Sequence, residues 1–130
     1  MSHILVVDDD PEVRRLTALL LKTAGHTVAQ APGGRQALDR VKAHPPDLVL
    51  SDIGMPEMDG CALFREVRAY DPQIPFVAMS GHMDAQEAGQ HAFDGFVRKP
   101  FNIPHLIETV DRTVRTAQEK GPRSSQLQRA

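Results

Sequence analysis

Residues 47–60 have the sequence DLVLSDIGMPEMDG, an apolar run that ends in one carboxylate and is then interrupted. The run from Leu48 to Leu50 predicts a short strand buried on both faces, because parallel strands covered by helices are apolar without alternation. Two glycines and a proline forbid regular structure directly afterwards. Asp52 therefore stands at the carboxyl end of a strand, where open α/β sheets bind their ligands.

The composition describes one domain. The chain has 130 residues, of which 41% are hydrophobic, and this is enough for a single core without metal or disulfide support. A formal charge of −2 favours neither nucleic acid nor an anionic membrane as a direct partner. The single cysteine, Cys61, cannot form an internal disulfide, and no apolar stretch approaches the ~20 residues of a membrane helix. With no secretory signal visible, we expect a cytoplasmic domain that binds neither nucleic acid nor membrane.

Strands and helices alternate along the chain. Apolar runs predict five strands, at residues 4–7, 26–31, 48–50, 74–79 and 95–98. Apolar residues at helical spacing predict a helix after each strand, so we expect an α/β fold with a parallel sheet covered on both faces. Residues 1–120 form the predicted domain, and residues 121–130, where the periodicity stops, form a tail or linker stub.

The helices differ in how clearly they are marked. Asp10 and Asn102 are placed to cap the first and last helices. The first helix has a predicted apolar face at Val13, Leu16, Leu20 and Ala24. The fourth, predicted at residues 84–91, has only small residues on its inner face, at Ala85, Ala88, Gly89 and Ala92. A face of this kind buries little area, so we expect this helix to be the most easily displaced.

Polar residues end four of the five predicted strands. Asp8 and Asp9 follow the first strand, Asp52 the third, Ser80 the fourth and Lys99 the fifth. Because the carboxyl ends of parallel strands share an edge, we expect these groups to converge. Close carboxylates repel one another unless a cation lies among them, and oxygen ligands without paired Cys or His favour Mg²⁺ (or Mn²⁺). Helix capping accounts for only one acid near the first strand, Asp10.

This set of groups predicts phosphoryl transfer. A carboxylate beside Mg²⁺ and a lysine is suited to become an aspartyl phosphate, because the cations neutralise charge on the transferring group. Ser80 is then placed to donate a hydrogen bond to a phosphoryl oxygen. The six histidines are scattered without metal-ligand spacing.

The chain resembles the receiver domain of two-component response regulators, such as the chemotaxis regulator, over nearly its whole length. The matching motifs are Val6-Val7-Asp8-Asp9-Asp10, Asp52-Ile53-Gly54-Met55-Pro56 with Met58-Asp59-Gly60, Met79-Ser80-Gly81, and Gly95-Phe96-Val97-Arg98-Lys99-Pro100-Phe101. The resemblance implies a flavodoxin-like, doubly wound sheet in the order 2-1-3-4-5. It also implies that Asp52 is the phosphoryl acceptor. Asp9, Asp52 and the backbone carbonyl of Gly54 would bind Mg²⁺, with Asp8 acting mainly through water.

The resemblance further implies a switch. Ser80 and Lys99 would contact the phosphoryl group, and Phe96 occupies the switch-aromatic position, whose rotamer is linked to the direction of the Ser80 hydroxyl. The Lys99–Pro100 peptide is usually cis in this family. Gly54 and His82 stand at two variable positions that, in the family this chain resembles, tune the lifetime of the phosphate.

Three functions compete at this stage. The favoured one is a switch that takes its phosphoryl group from a sensor histidine kinase or phosphotransfer protein. Its output surface is the fourth helix, fifth strand and fifth helix, for an effector protein or a C-terminal output domain, and it catalyses only its own phosphorylation and dephosphorylation. The second is a haloacid-dehalogenase-type phosphohydrolase using Asp8 and Asp10, disfavoured by Glu12 where Thr or Val is expected and by the lack of a cap segment. The third is a receiver fold used as an unphosphorylated scaffold.

Overall fold

A computed structural model describes residues 2–83 and 85–119 of the chain. The strands are β1 (His3–Val7), β2 (Thr27–Ala31), β3 (Leu48–Asp52), β4 (Phe76–Ser80) and β5 (Gly95–Arg98). The helices are α1 (Pro11–Thr23), α2 (Gly34–Ala43), α3 (Gly60–Tyr70), α4 (Ala85–Gly89) and α5 (Ile103–Glu119). The tail predicted at residues 121–130 lies outside the described residues. Within the described ranges, no helix is both long enough and apolar enough to span a membrane.

The strands form one parallel sheet in the order β2-β1-β3-β4-β5, which confirms the predicted fold. The direction of winding changes between β1 and β3, and such a switch point opens a crevice at the carboxyl ends of the strands. Val7 of β1 pairs with Ser51 of β3, so the residues that follow them, Asp8 and Asp52, lie side by side. β4 begins at Phe76, two residues later than predicted, because Pro75 has no N–H to donate to a neighbouring strand.

Two hydrophobic clusters hold the sheet between its helices. Leu5, Val7 and Phe76 belong to the cluster that contains residues of α2 and α3. Ile4 and Leu50 belong to the cluster that contains residues of α1 and α5. All five residues are at most 1% exposed, and each fully buried side chain of this size contributes about 1.5–3 kcal/mol. The strand ends that carry the polar residues are therefore held in place by a well-packed core on both faces of the sheet.

The apolar face predicted for α1 is only partly correct: Val13 and Leu20 are half-buried, and Leu20 packs against the cluster that contains Ile4. Leu16 is 49% exposed and Ala24 is also exposed. The residues that α1 buries are Thr17, Ala18 and Leu21. Thr17 can be buried because its hydroxyl donates to the carbonyl of Val13, 2.7 Å away. Since apolar residues occur on several sides of this helix, periodicity alone did not define the buried side.

Helix α4 is shorter than predicted and ends at Gly89. The N–H groups of Gln90 and His91 bond to carbonyls three residues earlier, at 3.1 Å each, so the chain tightens into a turn at this point. Ala88 is buried as predicted, but Gly89 and Ala92 are exposed, and Asp84 lies outside the described residues. Among the residues of α4 whose side chains the structure describes, 86–89, the buried one is the small Ala88, so these residues bury little apolar area against the sheet.

Candidate functional site

The end of β1 places three consecutive acids in three different environments. Asp8 is fully buried: its Oδ1 accepts the N–H of Asp10 at 3.0 Å and its Oδ2 accepts from the Lys99 Nζ at 2.8 Å. Asp10 caps α1, as predicted, by accepting the N–H groups of Glu12 and Val13 at 3.0 and 3.4 Å. Asp9 remains exposed at the edge of the sheet.

Arg14 supports this turn from the side, and sequence reasoning missed it. Its Nη1 donates to the backbone carbonyl of Asp8 at 3.0 Å, and its Nε donates to Oε1 of Gln30 on β2 at 3.3 Å. The signal was present in the helix pattern, because position 14 lies one turn before the buried Ala18. The correct rotation of α1 would have turned Arg14 toward β2.

Asp52 ends β3 and is 8% exposed. One of its oxygens, Oδ1, lies 3.2 Å from the Lys99 Nζ. The loop that follows is held close to this residue, because Gly60 donates its N–H to the carbonyl of Ile53 at 2.9 Å. A Cβ at Gly60 would lie 2.5 Å from the backbone oxygen of Asp52, so only glycine fits there without displacement.

The predicted acidic cluster is present. Carboxylate oxygens of Asp8, Asp9 and Asp52 lie within 4.8 Å of one another. Burial raises the pKa of Asp52 and the charges of Asp8 and Asp9 raise it further, although Lys99 opposes them. For Lys99, burial alone would lower the pKa, but the hydrogen bond and charge of Asp8, together with Asp52, outweigh it and raise the pKa. Three carboxylates lie near a single ammonium group, so the site has excess negative charge and offers oxygen ligands. Both features suit a hard divalent cation such as Mg²⁺.

Ser80 ends β4 beside this cluster. Its Oγ accepts the N–H groups of His82 and Met83 at 3.1 and 2.9 Å, which shapes the loop between β4 and α4. A hydroxyl has two acceptor positions and one proton. Both acceptor positions are engaged by the loop, and among the described residues no acceptor is found for the hydroxyl proton, which is therefore suited to bond an incoming oxygen.

A cavity of about 420 Å³ opens above the strand ends. Its lining includes Asp52, Ser80 and Lys99, together with Gly54 and Glu87. A Cβ added at Gly54 would meet no atom within 4 Å, so the cavity is open on that side. Sequence reasoning missed Glu87, because its position in the cavity wall depends on where α4 begins, which no local pattern specifies.

The two remaining predicted features lie on β5 and just after it. Phe96 is half-buried and pairs in the sheet with Ala78 of β4, two residues before Ser80. The Lys99–Pro100 peptide is cis, as the resemblance implies. The structure thus brings together Asp8, Asp9, Asp52 and Lys99, with Ser80 in the same cavity wall as Asp52.

The fold and the site define a doubly wound α/β protein of the flavodoxin-like class, with an acidic ligand site at its switch point. A family model of the response regulator receiver domain matches residues 4–111. The chain belongs to this family. Receiver domains are phosphate-accepting signalling domains of two-component systems and not classical enzymes, so the phosphohydrolase alternative is not favoured.

Individual relatives agree with this assignment. The chain is 38% identical over 112 residues to the C4-dicarboxylate transport transcriptional regulatory protein DctD of Rhizobium meliloti, covering 84% of this chain and 24% of DctD. It is 36% identical over 119 residues to the chemotaxis protein CheY of Bacillus subtilis, covering 88% of this chain and 99% of CheY. A crystal structure of NtrX from Brucella abortus is similar with a TM-score of 0.85 at 33% identity, over 92% of this chain and 28% of NtrX. The chain thus spans about a quarter of the length of DctD and nearly all of CheY.

Proposed function

We propose that Asp52 accepts a phosphoryl group from a phosphohistidine of a sensor kinase or phosphotransfer protein. An Asp52 carboxylate oxygen attacks phosphorus, the P–N bond to the donor breaks, and its electron pair and a proton end on the donor imidazole. Water later attacks the aspartyl phosphate and releases inorganic phosphate. The domain catalyses only these two steps on itself.

The observation that carries the proposal is the position of Lys99. Its ammonium group contacts both Asp8 and Asp52 at 2.8 and 3.2 Å, so it lies where charge develops on a group bound to Asp52. Asp52 lines the open cavity, whereas Asp8 is fully buried and has both oxygens hydrogen-bonded. These contacts support Asp52 as the nucleophile and disfavour Asp8.

The donor set also supports a role for a divalent cation. Asp9, Asp52 and the backbone carbonyl of Gly54 would hold Mg²⁺ or Mn²⁺, with Asp8 acting through water because its oxygens already accept from Asp10 and Lys99. When bound, the ion neutralises charge on the phosphoryl oxygens. The Asp52 charge is disfavoured by burial and by its acidic neighbours, and such an ion would stabilise it.

Switching would follow from the two demands on Ser80. Its Oγ holds the loop after β4 through His82 and Met83, and its proton is suited to bond a phosphoryl oxygen. If the Ser80 hydroxyl turned toward the phosphoryl group, its contacts with the loop would weaken and α4 could move. The rotamer of Phe96 would change together with the direction of this hydroxyl. The surface formed by α4, β5 and α5 would then change its affinity for a partner.

We also propose that the domain occupies about residues 1–120 of a cytoplasmic signalling protein. Its partner on the output side is an effector protein or a C-terminal output domain. The lengths of its relatives are compatible with both alternatives: the chain covers 99% of CheY but only 24% of DctD.

Incubation with acetyl phosphate and Mg²⁺ tests the central claim. We expect the intact mass of the wild type to increase by one phosphoryl group, with no increase for Asp52→Asn or when EDTA replaces Mg²⁺. Asp39→Asn on the surface of α2 is the matched control and should label like the wild type. Labelling of Asp52→Asn at the wild-type rate would refute Asp52 as the acceptor, and failure of the wild type to label would favour the scaffold interpretation.

A second experiment concerns the lifetime of the phosphate. Gly54 leaves its side of the cavity open, and His82 lies in the cavity wall. We expect Gly54→Asn to fill this space and His82→Ala to enlarge it, so each should change the rate at which phosphorylated protein loses phosphate. Unchanged lifetimes in both variants would remove these two positions from the mechanism.

A further inference from the structure

The loop between β3 and α3, residues 53–59, packs against the first residue of α2. That residue is Gly34, which is buried. A Cβ at this position would lie 2.7 Å from Cγ of Met58 and 2.8 Å from the Met58 backbone oxygen. Because ordinary contacts begin at 3.4 Å, a methyl group here would force α2 and the loop apart by about 0.6–0.7 Å. Glycine is therefore the residue that lets the loop lie this close to α2.

The same loop is bound to the end of β3. The N–H groups of Met55 and Gly60 both donate to the carbonyl of Ile53, at 3.0 and 2.9 Å. The first of these bonds closes a tight turn around Gly54, whose backbone carbonyl is a proposed metal ligand. Gly60 also lies against the backbone oxygen of Asp52, where a Cβ would be only 2.5 Å away. The loop thus connects the contact with α2 to the proposed acceptor and to a proposed ligand of the cation.

A displacement of Met58 would be taken up on the side of the loop that contains Gly54. On the other side, Asp59 is fixed to α3, because its Oδ1 accepts the N–H of Ala62 at 2.8 Å. The two residues between Met55 and Met58 are exposed, and Met58 packs against the hydrophobic cluster that contains Met55. Movement of Met58 away from α2 would therefore be passed to the turn that presents the Gly54 carbonyl.

We propose that Gly34 is a positioning residue for phosphoryl transfer: because it has no side chain, α2 can hold Met58, and through it the Gly54 carbonyl, in place beside Asp52. The proposal rests on the proposed phosphorylation of Asp52 with a divalent cation. Mg²⁺ requires nearly ideal octahedral coordination, whereas Ca²⁺ accepts irregular geometry. A small displacement of one ligand should therefore weaken Mg²⁺ binding more than Ca²⁺ binding, and a general loss of stability would not make this distinction.

The test uses Gly34→Ala with two matched controls. In Gly33→Ala the new Cβ would lie 2.9 Å from Oε1 of Gln36, the free end of a flexible side chain that can move away. Val41→Ala removes two buried methyl groups near the other end of α2, so it weakens this helix without pushing on the loop. Four quantities are measured: the affinities for Mg²⁺ and for Ca²⁺ by calorimetry, the initial rate of phosphorylation by acetyl phosphate at saturating Mg²⁺, and the stability to urea in EDTA.

The variants should separate positioning from stability. We expect Gly34→Ala to weaken Mg²⁺ binding about tenfold and Ca²⁺ binding about threefold or less, and to slow phosphorylation about tenfold. Gly33→Ala should behave like the wild type in every measurement. Val41→Ala should be less stable to urea but should keep the wild-type ratio of Mg²⁺ to Ca²⁺ affinity.

A second variant, Met58→Ala, tests the same contact without introducing a clash, and it decides the question if Gly34→Ala does not fold. It removes the Cγ atom that packs on Gly34, so the loop is held less firmly and Mg²⁺ binding should weaken about threefold. In the double variant the 2.7 Å contact no longer exists. Its loss of Mg²⁺ affinity should therefore be smaller than the product of the two single losses.

The inference would be overturned by wild-type Mg²⁺ affinity in a folded Gly34→Ala protein, by equal losses for Mg²⁺ and Ca²⁺, or by losses that multiply in the double variant. If Gly34→Ala does not fold, wild-type Mg²⁺ affinity in Met58→Ala would overturn it. Absence of labelling in the wild type would instead refute the proposed function, and the comparison of the two cations would still decide whether Gly34 positions their ligands. A wild type that binds neither cation would overturn the inference as well.

Discussion

Neutralising Asp52 should make the metal-free protein more stable, although it removes the proposed acceptor. Asp52 is 8% exposed, and its charge is disfavoured by burial and by the charges of Asp8 and Asp9. At an effective dielectric constant of about 20, the opposite charge of Lys99 at 3.2 Å contributes about 5 kcal/mol, which offsets the repulsion from the two acids. The remaining penalty on the Asp52 charge comes from burial, which is the largest of the contributions, and we expect Asp52→Asn to raise the free energy of unfolding by about 1–2 kcal/mol at neutral pH.

The pH dependence has a definite sign. Burial and neighbouring acids raise the pKa of Asp52 in the folded protein above its value in the unfolded chain. The folded state therefore binds the Asp52 proton more tightly, and ionised Asp52 destabilises the fold above the raised pKa. As the pH falls through that raised pKa toward the ordinary value of about 4, this destabilisation disappears. The advantage of Asp52→Asn should be largest at neutral pH and should vanish in acid.

Urea denaturation followed by far-ultraviolet circular dichroism measures the difference. We expect a higher midpoint for Asp52→Asn in EDTA, with the same slope for both proteins. Saturating Mg²⁺ should stabilise the wild type more than the variant, because the ion offsets a charge that the variant lacks. If Asp52→Asn were less stable than the wild type in EDTA, or if Mg²⁺ stabilised both proteins equally, the electrostatic account of the site would be wrong.

Further substitutions test other parts of the structure by the same denaturation assay. Lys99→Met should destabilise the protein by about 3–5 kcal/mol, because it leaves the buried Asp8 carboxylate without its charged partner, and adding Asp8→Asn should recover part of the loss. Thr109→Val should stabilise by about 1 kcal/mol, since the buried hydroxyl finds no hydrogen-bond partner among the described residues. Thr113→Val should have the opposite effect, because that hydroxyl donates to a carbonyl at 2.7 Å. Glu57→Gly should stabilise by about 0.5–1 kcal/mol, because the backbone φ of 66° at Glu57 is strained for a residue with a side chain. A loss of stability in Thr109→Val would contradict the unfavourable burial of the Thr109 hydroxyl, and a loss in Glu57→Gly would contradict backbone strain at position 57.

Much of the site was accessible from the order of residues along the chain. In a parallel sheet the end of an apolar run marks the end of a strand, and all such ends lie on one edge. This common edge of the sheet is sufficient to predict that Asp8, Asp9 and Asp52 lie together. The caps were equally local: Asp10 accepts N–H groups two and three residues later, and Asn102 accepts from His105 at 3.1 Å. Such contacts depend only on the residues of a single turn.

Other features arise only when elements pack against one another. Only part of the buried side of α1 is predictable, because its apolar residues occur around much of the helix, and Thr17 is buried only through contact with the rest of the fold. Arg14 supports Asp8 only because that rotation faces it toward β2. Glu87 enters the cavity only because a short tethered loop sets the start of α4.

The sequence by itself therefore determined which chemical groups meet at the strand ends, since strand direction and period follow from local sterics and burial. The tertiary structure decided how those groups share their partners. Lys99 lies nearer to Asp8 than to Asp52, at 2.8 against 3.2 Å, and that choice depends on distances across three separate strands. No local pattern encodes such distances, because they result from the packing of the whole sheet against its helices.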